Sequence, residues 1–179
     1  MSRTFARLLL SGIAFSGVSL LSAQTPPLPE GYVARKEVTA RGLAPGMQVT
    51  ELAATGRTFH VHFSKGDEVA SGLTEFAEKN HITAAHFTGV GAFDSALLGW
   101  TDPEKRAFKK IEINQEAEVV AFAGNITLAN GKPNVHAHTV VAFADGSTKG
   151  GHFIEGHVSI VMDVYVVDSS PAPAAKTGP

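Results

Sequence analysis

The chain has 179 residues, with 15 Lys and Arg against 17 Asp and Glu, a formal charge of −2, and no cysteine. Its length suits one folded domain with loose ends. Without cysteine there is no disulfide framework and no thiolate chemistry, and a slightly acidic balance argues against non-specific nucleic-acid binding, which needs Lys and Arg to neutralise phosphates.

The N-terminus reads as a secretory signal peptide spanning residues 1–23. Arg3 and Arg7 make a positive start, an apolar run follows from Leu8 to Leu21, and small residues precede Gln24. The run falls short of the roughly 20 apolar residues that span a bilayer, so the sequence predicts an exported chain, periplasmic or secreted, with no membrane anchor after cleavage. Cleavage removes two arginines and no acid, which takes the charge from −2 to −4. Residues 24–44, including Pro26, Pro27 and Pro29, read as a linker and N-terminal extension. The folded domain is expected over residues 45–168. Residues 169–179, with Pro171, Pro173 and three alanines, read as a disordered tail.

Within the domain, Phe59, Val61 and Phe63 alternate with Thr58, His60 and His62, the pattern of a half-buried strand. Asp67 is the expected N-cap of a helix carrying Val69, Leu73, Phe76 and Ala77 at helical spacing, with Asn80 at its end. Residues 82–88 read as a strand broken by Gly89-Val90-Gly91. Residues 96–100 and 108–113 read as two more strands around the turn Asp102-Pro103-Glu104-Lys105. Residues 118–128 form another, with Gly124 marking a bulge or a close backbone approach. Asn130-Gly131 is a hairpin signal. Residues 135–143 and 160–167 complete an α+β domain, a largely antiparallel sheet with one main helix.

The chemistry concentrates at His136, His138 and His152. At about 3.3 Å per residue, two positions on one strand lie roughly 6–7 Å apart on the same face, and neutral imidazole is the commonest metal-ligating side chain. A one-residue slip in a hairpin turns every side chain over. A two-residue loop at Asp145-Gly146 therefore puts His152 on the wrong face. A three-residue loop, Ala144-Asp145-Gly146 with Gly146 left-handed, puts His152 opposite His138, and Gly150-Gly151 offers a second way to shift the register. Three histidines with an open position fit zinc, although copper, nickel or iron also accept imidazole.

The remaining histidines and charges carry weaker signals. Glu155, on an uninterrupted strand, falls on the face opposite His152 and reads as solvated. His60 and His62 have no third ligand nearby and read as the exposed face of an edge strand. His81, His86 and His157 stand alone. Lys105-Arg106 and Lys109-Lys110, diluted by Glu104 and Glu112, read as a solvated face.

The ordered segments Lys65-Gly66-Asp67-Glu68, Phe87-Thr88-Gly89-Val90-Gly91-Ala92, Leu98-Gly99-Trp100, Gly124-Asn125-Ile126, Asn130-Gly131-Lys132-Pro133, His136-Ala137-His138 and Gly150-Gly151-His152 resemble the plants and prokaryotes conserved (PPC) domain across residues 45–168. The resemblance implies an α+β domain that assembles as a homotrimer, with His136, His138 and His152 matching the metal-binding histidines of prokaryotic members. Plant members join the domain to AT-hook segments and bind DNA. Here no Arg-Gly-Arg-Pro segment occurs, and residues 115–120 replace the plant partner-binding arginine with Glu116.

The leading expectation is an exported, trimeric zinc-binding protein with a small-molecule ligand or reaction. A zinc-dependent enzyme, a structural self-association module and a DNA-binding protein are the alternatives, in that order.

Overall fold

The computed structural model describes residues 27–37, 42–51 and 56–170. The expected signal peptide, and the tail beyond Ser170, lie outside them. Among the described residues no helix is long and apolar enough to cross a membrane.

The described residues form eight strands and one α-helix, in chain order β1 (Tyr32–Ala34), a 3-10 turn (Arg35–Glu37), β2 (Gln48–Glu51), β3 (Thr58–Ser64), α1 (Val69–Lys79), β4 (Ala85–Asp102), β5 (Ala107–Ile113), β6 (Ala117–Ala129), β7 (Lys132–Ala142) and β8 (Thr148–Asp168). All pairings are antiparallel. The strand order is β1-β5-β4-β6-β7-β8-β3-β2, and β4 also pairs with β8. That extra pairing closes β4, β6, β7 and β8 into a circuit, leaving β1 and β2 as the outer strands. The core packs between the inner face of this circuit and the helix. Phe59, Phe63, Phe76, Phe87, Phe93 and Phe122 are fully buried there, each stabilising the fold by about 1.5–3 kcal/mol relative to exposure. Val69, Leu73, Phe76 and Ala77 form the buried helix face, as their spacing predicts.

Several sequence expectations need correction. The N-cap is Glu68, not Asp67. The Glu68 carboxylate accepts from the Ala70 and Ser71 amides at 3.0 and 2.7 Å, and from Gly156 of β8 at 3.1 Å. Asp67, with its shorter side chain, turns back to accept from the Gly46 and Ser64 amides at 2.9 and 2.8 Å. Gly89-Val90-Gly91 does not end a strand. It is an irregularity inside β4, where the register shifts but pairing continues on both sides, so the two expected strands are one. The segment read as a linker contributes β1, which pairs with β5 through Tyr32–Lys109, Val33–Phe108 and Ala34–Ala107.

Candidate metal centre

His136 and His138 project from the same face of β7, two residues apart. The β7–β8 register sets His138 directly opposite His152. The connecting loop has the odd length that this pairing requires. Phe143 and Ser147 close it, with the Phe143 amide donating to the Ser147 carbonyl at 2.9 Å. Ala144, Asp145 and Gly146 form the turn, Gly146 taking the left-handed φ of 79°. Between β7 and β8 the register is regular from His138 to Ala142, so the loop alone sets the parity and Gly150-Gly151 is not needed for it. At the other hairpin, Asn130 and Gly131 both have positive φ, 52° and 76°, and hold Ala129 opposite Lys132. Gly124 marks a close approach rather than a bulge, since the β6–β7 register runs through it unbroken. A Cβ there would lie 2.2 Å from the His136 carbonyl oxygen.

The three ring centroids stand 5.1–5.4 Å apart, and one nitrogen from each ring lies within 4.8 Å of the other two. Zinc–nitrogen bonds of about 2.0–2.1 Å place tetrahedral ligands about 3.3 Å apart, so closing on an ion draws the nitrogens together by at most about 1.5 Å. His136 and His138 are exposed and His152 is half-buried, which leaves one side of the triad open to a fourth ligand. The His152 ring stacks on buried Phe108 at 4.6 Å and 13°, fixing its plane before any ion binds. The donor set, three imidazoles with no carboxylate among them, fits a borderline transition ion.

Glu155 does not face away from His152. Leu98 pairs with Phe153 but Leu97 pairs with Glu155, so Ile154 is an extra residue in β8. Leu97 and Gly99 share a face, and Gly99 pairs with His152, so the bulge returns Glu155 to the histidine face. Its carboxylate is held by His157 Nε2 at 3.0 Å. Phe153 and Ile154 are both buried, which is why the alternation slips there.

His60 and His62 also depart from expectation. Strand β3 is not an edge, because β2 covers its outer side. Register brings Asp163 of β8 opposite His62, and His60 Nε2 and His62 Nδ1 both lie 2.8 Å from Asp163 Oδ1. Desolvation pushes the Asp163 carboxyl up, but the hydrogen bonds from His62 and His60 outweigh it and hold the group below its ordinary value. Nothing local in the sequence pairs residues a hundred positions apart. The available signal was a lone acid inside the apolar run of residues 158–167. In the basic cluster, Lys105 is tied to Asp102 at 2.7 Å and lies over the Tyr32 ring.

The sequence profile of the Plants and Prokaryotes Conserved (PCC) domain matches residues 51–170. Among solved structures, a plant- and prokaryote-conserved protein from Pyrococcus horikoshii is 29% identical, with a TM-score of 0.63 over 70% of this chain and 87% of that one. A metal-containing protein from Archaeoglobus fulgidus is 30% identical, with a TM-score of 0.61 over 69% and 88%. A candidate DNA-binding protein from Ralstonia eutropha is 25% identical, with a TM-score of 0.61 over 66% and 81%. No curated protein matches the chain to a significant degree.

Proposed function

The chain belongs to the Plants and Prokaryotes Conserved (PCC) domain family, and on that premise we propose that it is an exported, homotrimeric metal-binding protein whose His136, His138 and His152 hold zinc and present its open side to a small ligand. The observation that carries this reading is the His138–His152 register, which brings the third imidazole to the same face as the first two. The metal-containing relative, of similar fold over most of its length, supports it. Export rests on the segment at residues 1–23.

Self-association is supported by exposed apolar side chains. Val120 is an extra residue where β6 shifts register, opposite the segment carrying Val90, and the two are 58% and 59% exposed. Exposed apolar side chains at adjacent positions suit a surface covered by a second copy; Ile160 is exposed to the same degree, 60%. The DNA reading is the weaker one, since the domain is acidic and Lys105 is already paired.

A bound zinc ion would supply Lewis acidity and lower the pKa of a water in its open position. The protein's part is to orient the ligands: Phe108 sets the His152 plane, and the strand register sets the other two. The bulge at Ile154 favours a second reading, a zinc-dependent enzyme. It places Glu155, oriented by His157, on the histidine face, where a general acid or base would stand.

The test is metal analysis of full-length protein purified without chelators under zinc-replete conditions. His138→Ala should hold one ion per chain fewer than wild type. A wild-type chain that binds no metal would overturn the reading. Sedimentation should give three times the chain mass, and a monomer would remove the assembly from it.

A further inference from the structure

We propose that His60, His62 and Asp163 form a second metal site, for a divalent first-row transition ion, sharing no ligand with the three-histidine centre. The donors are built into interior strands. His60 and His62 occupy alternate positions of β3, flanked by β8 and β2, and Asp163 is opposite His62 on β8. Two imidazole nitrogens from different rings, Nε2 of His60 and Nδ1 of His62, converge on one carboxylate oxygen at 2.8 Å each. One ligand atom from each of the three residues lies within 4.8 Å of the other two. An ion with bonds of about 2.0–2.2 Å to nitrogen and oxygen separates its donors by roughly 3.0–3.6 Å. Each nitrogen–oxygen separation of 2.8 Å therefore has to lengthen by less than about 1 Å for an ion to sit among the three donors.

Orientation and access favour the same conclusion. The His60 ring stacks on Tyr165 at 4.8 Å and 14°, so its plane is fixed, and the His60 and His62 rings meet edge-on at 64°. The side chains of His60, His62 and Asp163 are 31%, 28% and 31% exposed, buried enough to be ordered and open enough for an ion to enter. Two neutral nitrogens and one anionic oxygen on one face are the 2-His-1-carboxylate arrangement, which leaves further coordination positions free and suits Zn2+, Co2+ or Fe2+ better than soft Cu(I). The carboxylate makes this centre harder than the all-imidazole one, so the two sites differ in ion preference.

Cobalt separates this proposal from the first. Chelator-stripped full-length protein is titrated with Co2+ and its bound ions counted per chain. Wild type should hold two, His138→Ala one, Asp163→Asn one, and the double variant none. The visible Co2+ bands of His138→Ala then report the His60–His62–Asp163 centre alone, and adding Asp163→Asn should weaken that binding by more than the about 10–100-fold that losing a ligand's orienting partner costs. Asp163→Asn is close to isosteric and keeps the strand packing, so a loss of bands reports the ligand and not the fold. If His138→Ala binds no Co2+ while wild type binds one, the cluster is a hydrogen-bonded network only and this proposal fails while the three-histidine site stands. If wild type holds one ion that Asp163→Asn loses and His138→Ala keeps, the three-histidine site fails and this one stands.

Discussion

Gly124→Ala tests how tightly the β6–β7 pairing positions the first ligand. The added Cβ would lie 2.2 Å from the His136 carbonyl oxygen, 2.5 Å from Phe87 Cζ and 2.9 Å from Ala137 Cα. Ordinary separations between such atoms are about 3.5 Å, so the strands must part by roughly 1 Å, and two of the three obstacles are backbone atoms. Overpacking of this kind costs about 1–3 kcal/mol, which for a domain of this size lowers the melting temperature by roughly 4 °C per kcal/mol. The shift falls on the backbone of His136. Gly124 acts on the site only through the backbone that orients His136, and losing an orienting contact of that kind costs about 10–100-fold in zinc affinity at the three-histidine centre. Thermal melts of the metal-free chain and competition against a chromophoric chelator measure the two effects separately. The control is His136→Ala, which truncates an exposed side chain and should lose zinc while leaving metal-free stability nearly unchanged. A Gly124→Ala chain that melts within 1 °C of wild type and keeps wild-type zinc affinity would refute the reasoning, with that 1 °C set against about 4 °C per kcal/mol.

Two further outcomes follow from buried carboxylates. Glu68 is fully buried and accepts from the Ala70, Ser71 and Gly156 amides and the Ser71 hydroxyl. Glu68→Gln turns an NH2 group toward at least one of these donors, so denaturant unfolding should show a loss of about 1–3 kcal/mol, and an unchanged midpoint would mean that the helix start is held by packing alone. At Asp168, desolvation raises the carboxyl's pKa, but hydrogen bonds from Ser170 and Arg57 outweigh it and hold the group below its ordinary 3.8. A depressed carboxylate stabilises the fold at pH above 3.8, and that contribution fades as pH falls through the lower folded value. Unfolding free energy measured from pH 5 downward should therefore fall less steeply in Asp168→Asn than in wild type, and parallel curves would remove Asp168 from the acid response.

Most of what was readable in the sequence rested on local signals. The alternation at Thr58–Ser64, the helical spacing at Val69–Lys79 and the turn residues Asn130, Gly131, Asp145 and Gly146 all depend on neighbours within a few positions, and each is found as expected. The three-residue loop was legible for a stronger reason. Only an odd loop or a bulge at Gly150-Gly151 lets His138 and His152 share a face, and the regular register from His138 to Ala142 shows that the loop does it. The continuity of β4 was not legible, because glycines at positions 89 and 91 look the same whether a strand stops or bulges. What keeps β4 going is its pairing with β6 on one side and β8 on the other. The helix cap was misassigned between two adjacent acids because Asp67 has a nearer use at Ser64 and Gly46, which only folding reveals.

The sequence by itself determined the three-histidine constellation and the antiparallel α+β class, since strand parity and helical periodicity are properties of spacing along the chain. Tertiary structure alone decided the rest of the chemistry. An extra residue at Ile154 swings Glu155 onto the histidine face, and the β3–β8 pairing brings Asp163 to His60 and His62. Both depend on which strands pair and in what register, and register is fixed by contacts among residues far apart in the chain, such as the partnering of His62 with Asp163 across β3 and β8.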